Sequence, residues 1–233
     1  EIPLRLVGSE MCIRDSFDII ISGAGLAGLV TAVAFGSAGF DVLCVDPALP
    51  VTERDKPGAD LRSTAFLQPA RDFLVSLGLW DHLSTHATPL EVMQIMDAGA
   101  GDKTPRVPKQ FEARDISELP FGWNLPNWLL RREILKILHQ LPNVTLRSGI
   151  TSVGLFTRIK EARVTLSDGS RARAKLVIAA DGPKSAMRRA AGIAVNTSRY
   201  GQKALAFAVT HALPHENVST EVHRSGGPFT LVP

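Results

Sequence analysis

Residues 17–46 decide the fold of this chain. The run Phe17-Asp-Ile-Ile-Ile-Ser22 is typical of a fully buried strand, and Gly23-Ala-Gly-Leu-Ala-Gly28 follows it at once. Leu29 to Ala38 are predicted to form a helix, and Asp41-Val-Leu-Cys-Val-Asp46 a second buried strand. Strand, glycine turn, helix and strand within about thirty residues predict a βαβ unit.

The glycine turn has the form of a dinucleotide-binding loop. Gly23 permits a tight strand-to-helix turn, Gly25 lets a pyrophosphate approach the backbone, and Gly28 lets helix and strand pack closely. The helix N-terminus offers N–H donors and a positive dipole end to phosphates. The predicted cofactor-binding set therefore includes the backbone of Leu26 and Ala27 as well as the three glycines.

Asp46 is the predicted ribose-binding residue. It ends the second strand at the distance from Gly23 that is usual for a carboxylate on the ribose hydroxyls. An acid here disfavours a 2′-phosphate, so the site suits FAD or NAD over NADP. Two alternatives are a glycine turn that binds nothing and a membrane span, since residues 19–40 carry no charge. The early glycines and the bracketing Asp18 and Asp41 favour the βαβ unit.

Composition excludes several other classes of protein. Hydrophobic residues make up 45% of the 233 residues and charged residues 21%, as in an ordinary globular protein. A net charge of +3 gives no electrostatic reason to propose nucleic acid as a partner. Two cysteines exclude a disulfide-stapled scaffold and a cysteine-rich zinc module. The pairs His82/His86 and His211/His215 lack a third ligand, so no metal site is predicted.

The two ends of the chain look non-native. Residues 1–16 are predicted to be a non-native leader, because Val7 to Ser16 resemble translated sequencing-adapter sequence. Cys12 then carries no meaning, while Cys44, in a buried strand, is expected to be inert packing. The chain stops in a strand-like run, which leads us to expect a fragment of a longer gene product.

The remaining pattern predicts a mixture of helices and strands. Residues 103–126 are expected to be irregular because they contain four prolines, and the last forty residues to be strand-like. Predicted helices begin at Pro69 and end near Gly78, span 127–140, and lie near 184–191. Predicted strands are Leu90–Met96, a meander of Val144–Leu146, Thr151–Arg158, Ala162–Leu166 and Arg171–Lys175, and the buried strand Leu176–Ala180.

Further motifs occur in the order seen in one family. They are Asp60-Leu-Arg-Ser-Thr-Ala65, Leu77-Gly-Leu-Trp80, Phe121-Gly-Trp-Asn124 and Ala179-Ala-Asp-Gly-Pro-Lys-Ser185 with Arg188. With the glycine turn, they make the chain resemble the FAD-dependent aromatic hydroxylases of the para-hydroxybenzoate hydroxylase fold. Within that fold it is most similar to the ubiquinone-biosynthesis hydroxylases, the UbiH/UbiF/COQ6 group. The likeness runs from Phe17 to Pro233.

The resemblance implies further cofactor-binding residues. Ala180-Asp181-Gly182 matches the second flavin motif, associated with both FAD and NAD(P)H, although an Asp-Gly pair also suits a plain turn. Arg62 matches a basic residue that reaches the flavin dinucleotide, and Arg131 a polar position near the cofactor. For both arginines the alternative is a solvated surface side chain. No catalytic acid or base is indicated.

The fold class implied is α/β, truncated at the C-terminus. A Rossmann-like FAD/NAD(P)-binding domain would comprise residues 17–90 and 126–190, and a β-rich substrate domain would include 91–125 and 195–233. The family's third flavin motif would lie beyond Pro233. The 233-residue chain is therefore expected to have no hydroxylase turnover.

The activity implied is aromatic hydroxylation with FAD, O2 and either NADH or NADPH, through a flavin C4a-hydroperoxide. The implied substrate is a polyprenyl phenol of ubiquinone biosynthesis, and its prenyl chain implies contact with the membrane surface or a biosynthetic complex. We expect a cytoplasmic protein, peripheral at the inner membrane. The alternatives are another FAD oxidoreductase of this fold, such as a prenyl reductase or an epoxidase, and a catalytically incomplete FAD-binding fragment.

Overall fold

A computed structural model describes residues 15–99 and 107–233. Most of the predicted leader lies outside the described residues. The described chain forms two compact units, each built from two segments. The first unit runs to Leu49 and resumes at Leu141–Asn196, and the second comprises Pro50–Gln140 and Thr197–Pro233.

The elements are numbered in chain order. The strands are β1 (Ile19–Ser22), β2 (Val42–Asp46), β3 (Ser63–Leu67), β4 (Thr88–Leu90), β5 (Val92–Asp97), β6 (Val107–Glu112), β7 (Gly122–Pro126), β8 (Val144–Ser148), β9 (Ser152–Thr157), β10 (Ala162–Leu166), β11 (Arg171–Ala174), β12 (Leu176–Ala179), β13 (Val218–His223) and β14 (Phe229–Leu231). The helices are α1 (Leu26–Ser37), α2 (Gln68–Ser76), α3 (Trp80–Leu83), α4 (Asn127–Leu138) and α5 (Ala186–Ala190).

The first unit is layered around a parallel sheet. Its strand order is β12-β1-β2-β8, with all neighbours parallel. Successive side chains of a strand point to opposite faces. On one face, Ile20 and Leu43 pack with Val164 and Met187 in a buried cluster that joins this sheet to the antiparallel sheet β11-β10-β9. Helix α1 packs against β1, β2 and β8. The predicted βαβ unit is therefore confirmed, with its helix starting at Leu26 rather than Leu29.

The second unit contains two small sheets and helices α2, α3 and α4. One sheet has the order β3-β7-β4 and the other β14-β13-β5-β6. Helix α4 buries a stripe formed by Leu130, Ile134 and Leu138, spaced three to four residues apart as an amphipathic helix requires. It follows β7 directly and packs against that strand.

Four predictions about local structure are wrong. Residues 103–126 are not irregular throughout, because β6 and β7 lie within them. Pro108 is tolerated because β6 is an outer strand of its sheet, and Pro120 and Pro126 lie before and at the end of β7. The strand from Val144 does not belong to the antiparallel meander: β8 pairs in parallel with β2.

The other two errors concern the burial of β12 and the C-terminal region. Leu176 is 46% exposed, so β12 is not a fully buried strand; it is an outer strand of the parallel sheet. Of the last forty residues, only β13 and β14 are strands. The boundaries of the compact units also differ from the predicted domain boundaries, since residues 50–90 and 126–140 fall in the second unit. The division into cofactor and substrate domains stays a prediction.

The longest helices of the described residues, α1 and α4, have 12 residues each. A membrane-spanning helix needs about 20. Within residues 15–99 and 107–233, therefore, no helix is long and apolar enough to cross a membrane.

Candidate cofactor site

The glycine turn of the first unit lies against the second predicted flavin motif. Gly23 has φ of +104°, a conformation that glycine adopts without strain. A Cβ placed on Gly23 would lie 2.3 Å from the carbonyl oxygen of Ala180. Only a residue without a side chain allows the two backbones to come this close. The two motifs that the sequence placed far apart therefore adjoin at one end of the sheet.

Gly28 and Gly25 differ in what surrounds them. A Cβ on Gly28 would lie 1.8 Å from the carbonyl oxygen of Gly23, so α1 could not start here with any larger residue. A Cβ on Gly25 would meet no described atom within 4 Å. Gly28 thus allows the close packing of helix α1 on the glycine turn. Gly25 leaves open space beside the backbone, which fits the close approach of a ligand.

The start of α1 is suited to an anion. Gly25 is the N-cap, and the first helical hydrogen bond runs from the Leu29 amide to the Gly25 carbonyl at 2.9 Å. The amides of Leu26, Ala27 and Gly28 precede that bond, so the helix itself gives them no acceptor. Their N–H groups and the helix dipole favour a phosphate at this end. These residues fit the pyrophosphate of a dinucleotide.

Asp46 stands at the end of β2, at the same edge of the sheet. Its carboxylate accepts hydrogen bonds from the backbone amides of Ala24 at 2.7 Å and Ala48 at 2.9 Å. These bonds fix the side chain against the glycine turn. A carboxylate can accept about four hydrogen bonds, so two sites remain for ribose hydroxyls. The arrangement fits the role predicted for Asp46.

The strand order explains why these groups meet. From β1 the chain moves to β2 and then β8 on one side, and returns to β12 on the other side of β1. The carboxyl ends of β1 and β12 therefore flank a point where the strand order reverses. In open α/β sheets, ligands bind in the crevice at such a point.

Asp181 has a structural task that the sequence did not reveal. Its carboxylate accepts hydrogen bonds from Ser185 Oγ at 2.5 Å and from the amides of Ala186 and Met187 at 2.7 and 3.1 Å. Burial alone would raise the pKa of Asp181, but these hydrogen bonds outweigh it and lower the pKa. The carboxylate thus anchors the start of α5. Gly182, with φ of +81°, forms the turn between Asp181 and α5.

Cys44 is buried in β2, where the sequence places it. It is a free, fully buried thiol in β2. Burial, with a smaller contribution from the charge of Asp46, raises the pKa of Cys44 to about 12. A thiol with so high a pKa carries almost no thiolate at neutral pH and is unreactive.

In the second unit, the two predicted arginines converge on one carboxylate. Arg62 donates from Nε and Nη2 to the two oxygens of Asp60, each at 2.8 Å. Arg131 Nη2 lies 3.6 Å from Asp60 Oδ2. The Arg62 hydrogen bonds hold the pKa of Asp60 far below its usual range. Both arginines therefore contact a carboxylate, and neither is an isolated side chain in solvent. The Arg62 side chain is nonetheless 66% exposed.

Asn127 joins the same cluster and was missed by the sequence analysis. This buried residue donates from Nδ2 to Asp60 at 3.0 Å and accepts from Thr64 Oγ1 at 2.6 Å. Its backbone amide donates to the Arg62 carbonyl at 2.9 Å. The available signal was an amide side chain at the first position of a predicted helix, where polar residues often satisfy backbone and side-chain groups.

The other side chains that the sequence analysis named either have packing roles or have no assigned role. Trp123 stacks edge to face on Trp80, with the Arg71 guanidinium 5.6 Å from each ring centroid. His211 and His215 contact each other edge to face. Among the residues that the structure describes, no group of three or more potential ligands could hold a metal ion.

The sheet order, the glycine turn and the acid at the end of β2 define an α/β protein of the Rossmann type with a candidate dinucleotide site. A family model described as an FAD binding domain matches residues 16–229, and the chain belongs to that family. The predicted FAD cofactor and the predicted resemblance are thereby confirmed at the level of the family. The residues of the glycine turn fit FAD by the geometry given above.

Several known proteins are similar to this chain. The ubiquinone hydroxylase UbiL of Rhodospirillum rubrum is 33% identical over 216 residues, which cover 93% of this chain and 49% of that protein. The ubiquinone hydroxylase UbiM of Neisseria meningitidis is 27% identical over 239 residues, covering 100% of this chain and 51% of that protein. The chain thus spans about half the length of these relatives.

Solved structures support the fold. A variant of PqsL from Pseudomonas aeruginosa superimposes with a TM-score of 0.72 at 21% identity, covering 94% of this chain and 57% of that one. Such a likeness confirms the predicted α/β fold class. At this identity it carries no information about substrate.

Proposed function

We propose that the protein carrying this chain is an FAD-dependent monooxygenase that hydroxylates the aromatic ring of a polyprenyl phenol in ubiquinone biosynthesis. The observation that carries the proposal is the meeting of the glycine turn, Asp46 and the 180–182 turn at one edge of a parallel sheet, in a chain of the FAD-binding family. The substrate class rests on the relatives, which are named as ubiquinone hydroxylases. NADH or NADPH would reduce the cofactor, and O2 would supply the oxygen.

In the first unit, the chain's part in this chemistry is to bind and orient. The N-terminus of α1 would hold the pyrophosphate through the amides of Leu26, Ala27 and Gly28, beside the open space at Gly25. Asp46 would accept from the ribose hydroxyls. Bound FAD supplies the redox chemistry and the activation of oxygen, which no protein side chain can provide.

Other predicted residues would support binding. Asp181 would act through the turn it anchors, because its carboxylate is already committed to α5. Gly182 would present its backbone to the cofactor. Arg62 and Arg131, in the second unit, stay predicted cofactor-binding residues.

A flavin titration tests the cofactor proposal. We expect the purified protein to quench FAD fluorescence saturably, and Asp46→Ala to weaken binding by at least about tenfold, since a charged hydrogen-bond partner is lost. Asp41→Ala at the other end of β2 is the matched control and should leave the affinity unchanged. Circular dichroism would confirm that both variants are folded. A wild-type protein that is folded but does not bind FAD would contradict the proposal.

A product analysis tests the reaction. The complete gene product, with FAD, O2 and either NADH or NADPH, should convert a short-chain prenyl phenol to a product heavier by one oxygen atom, retaining label from 18O2. A product reduced or epoxidised in the prenyl chain instead would assign a different reaction to the fold. Comparison of the two nicotinamides would identify the electron donor.

We further propose that the protein meets its substrate at a membrane surface, in the cytoplasm and at the inner membrane. A polyprenyl chain partitions into lipid, so an enzyme acting on it gains access by peripheral contact. Flotation of the complete gene product with liposomes of anionic phospholipid should recover it in the lipid fraction. Recovery only in the soluble fraction, with and without prenyl phenol, would contradict this part of the proposal.

A further inference from the structure

The antiparallel sheet of the first unit has one buried face and one basic face. On the buried face, alternate residues of β10 and β11 join the hydrophobic core of the unit. Successive side chains of a strand point to opposite faces, so the residues between them lie on the outer face. There, Arg163 of β10 is paired with Phe156 of β9 and with Arg173 of β11. A phenylalanine and two arginines thus form a row across three strands.

This row places two like charges side by side. Arg163 and Arg173 are directly opposite each other, and like charges in that relation destabilise a sheet. Glu161 partly offsets the repulsion by accepting a hydrogen bond from Arg163 Nε at 2.8 Å. The Arg173 side chain is 50% exposed and lies 3.8 Å from Asp15, a residue of the predicted leader. An anionic partner outside the chain would relieve the remaining repulsion.

The hairpin that joins β9 to β10 adds two cations and an apolar tip. Its turn is closed by a hydrogen bond from the Arg158 amide to the Glu161 carbonyl at 2.8 Å. Within the turn Ile159 is fully exposed, and Phe156 in the adjoining strand is 57% exposed. Arg158 and Lys160, which flank Ile159, are exposed as well, and the Arg158 guanidinium lies 5.3 Å from the Phe156 ring centroid. The tip therefore presents apolar side chains framed by positive charges.

The row and the tip form one surface, the basic face. It comprises Phe156, Arg158, Ile159, Lys160, Arg163 and Arg173. Residues 152–174 contain five Lys or Arg and two Asp or Glu, an excess of three positive charges. That excess equals the net charge of the whole 233-residue chain, which is +3. The rest of the chain is balanced, so attraction to an anionic surface is concentrated at this segment.

We propose that the basic face docks the protein on an anionic phospholipid surface. Lys and Arg side chains are attracted to the headgroups of such a surface, and neighbouring apolar side chains enter the boundary between headgroups and acyl chains. Ile159 and Phe156 are the inserting residues, and the four cations contact the phosphates. An isoleucine cannot stack on a nucleobase as an aromatic ring does, so the tip fits a lipid better than a nucleic acid. The inference rests on the membrane contact proposed above and names the surface that makes it.

Flotation of the complete gene product with vesicles tests the electrostatic part. On vesicles of phosphatidylcholine and phosphatidylglycerol in equal parts, at physiological salt, the double variant Arg158→Gln/Lys160→Gln should bind about 10- to 30-fold more weakly than the wild type, because two cations are lost from the contact. The matched control is Arg54→Gln/Lys56→Gln. It removes the same two types of side chain, at the same spacing, from an exposed loop in which residues 53–56 hold two acids and two bases. The control should bind as the wild type does.

The variant Ile159→Ser tests the apolar part. The Ile159 side chain is fully exposed, so its removal should leave the fold intact, as circular dichroism would verify. Binding to the same vesicles should weaken by about 3- to 10-fold, because apolar area is no longer inserted. Its dependence on salt should stay that of the wild type, whereas the double variant should lose part of that dependence. Ile116→Ser makes the same change at a side chain that is 78% exposed in the second unit, and it should bind as the wild type does.

The outcomes distinguish this inference from the proposed function. No residue of the basic face belongs to the predicted cofactor-binding set, so all these variants should bind FAD as the wild type does. If the wild type does not float with anionic vesicles, the proposed membrane contact fails and the inference fails with it, while the FAD titration still tests the cofactor proposal. If the wild type floats and Arg158→Gln/Lys160→Gln floats equally well, the inference alone fails. Unchanged flotation together with a loss of binding to duplex DNA in that variant would assign the basic face to nucleic acid and would also overturn the inference.

Discussion

The carbonyl oxygen of Ala180 lies so close to Gly23 that a Cβ on Gly23 would be 2.3 Å from it. The two residues lie on neighbouring parallel strands, just beyond the pairs that join Ser22 to Ala179. The absence of one methyl group thus allows the turns at residues 23–28 and 180–182 to adjoin. This contact gives the first prediction.

Gly23→Ala should lower the free energy of unfolding by more than about 2 kcal/mol, because it adds a steric clash to an unfavourable positive φ. Gly39→Ala is the matched control. Gly39 also has a positive φ, of +86°, but its Cβ would meet nothing within 4 Å of the described structure. It should cost only about 1–2 kcal/mol. Chemical denaturation would measure both, and equal losses would contradict the steric argument.

Gly25→Ala should separate binding from stability. A methyl group at Gly25 meets open space in the described structure and φ is −66°, so we expect the free energy of unfolding to fall by no more than about 1 kcal/mol. If the pyrophosphate approaches here, the same methyl group should weaken FAD binding by more than about tenfold. Gly226→Ala adds a methyl group to open space elsewhere and should change neither. Unchanged FAD affinity in Gly25→Ala would place the pyrophosphate elsewhere.

The hydrogen bonds to Asp181 predict a pH-dependent contribution to stability. The pKa of Asp181 is lower in the folded state than the unfolded value of about 3.9, so the carboxylate stabilises the fold above that value. The contribution is lost as the pH falls through the folded pKa. Asp181→Asn should therefore be less stable than the wild type by about 0.5–2 kcal/mol from pH 5 to 8, roughly, and the difference should shrink below about pH 4. A difference that is constant down to acid pH would refute this account.

The raised pKa of Cys44 predicts an unreactive thiol. In a Cys12→Ser background, Cys44 should react with a disulfide reagent at about pH 8 at least roughly 100-fold more slowly in the native state than in concentrated guanidinium. The reason is that the buried side chain is both inaccessible and protonated. The time course of reagent absorbance would measure it. A native rate close to the unfolded rate would mean that β2 opens readily.

Much of the first unit could be predicted because its signals are local. The run from Phe17 to Asp46 contains the strands, the glycine turn and the helix within a short window, and each residue type favours the same structure. For α1 the only error was the first residue of the helix, which is Leu26 rather than Leu29. By contrast, the parallel pairing of β8 with β2 brings together Val42 and Val144 from distant segments, and no periodicity reveals such a partner.

One part of the candidate site could be predicted from local sequence, and the other part could not. Gly23, Gly28 and Asp46 lie where the motif predicts, because that motif is itself a local structure. The cluster around Asp60 could not be derived, since it depends on β3 pairing with β7, which sets Ser63 opposite Pro126 and brings Asn127 beside Asp60. The four prolines in residues 103–126 led to the wrong prediction of irregular structure, because proline is accepted in outer strands and at strand ends.

The central strand of the parallel sheet also constrains how the protein is made. Ile19 of β1 pairs with Leu176 of β12, so one neighbour of the first strand is synthesised more than 150 residues later. Until the ribosome has passed that point, one edge of β1 has no partner and apolar side chains such as Ile20 lack their full surroundings. The sheet beside β1 therefore stays incomplete until β12 has been synthesised. Long-range parallel pairings of this kind are intrinsically slow to form and leave a chain exposed to aggregation until they are complete.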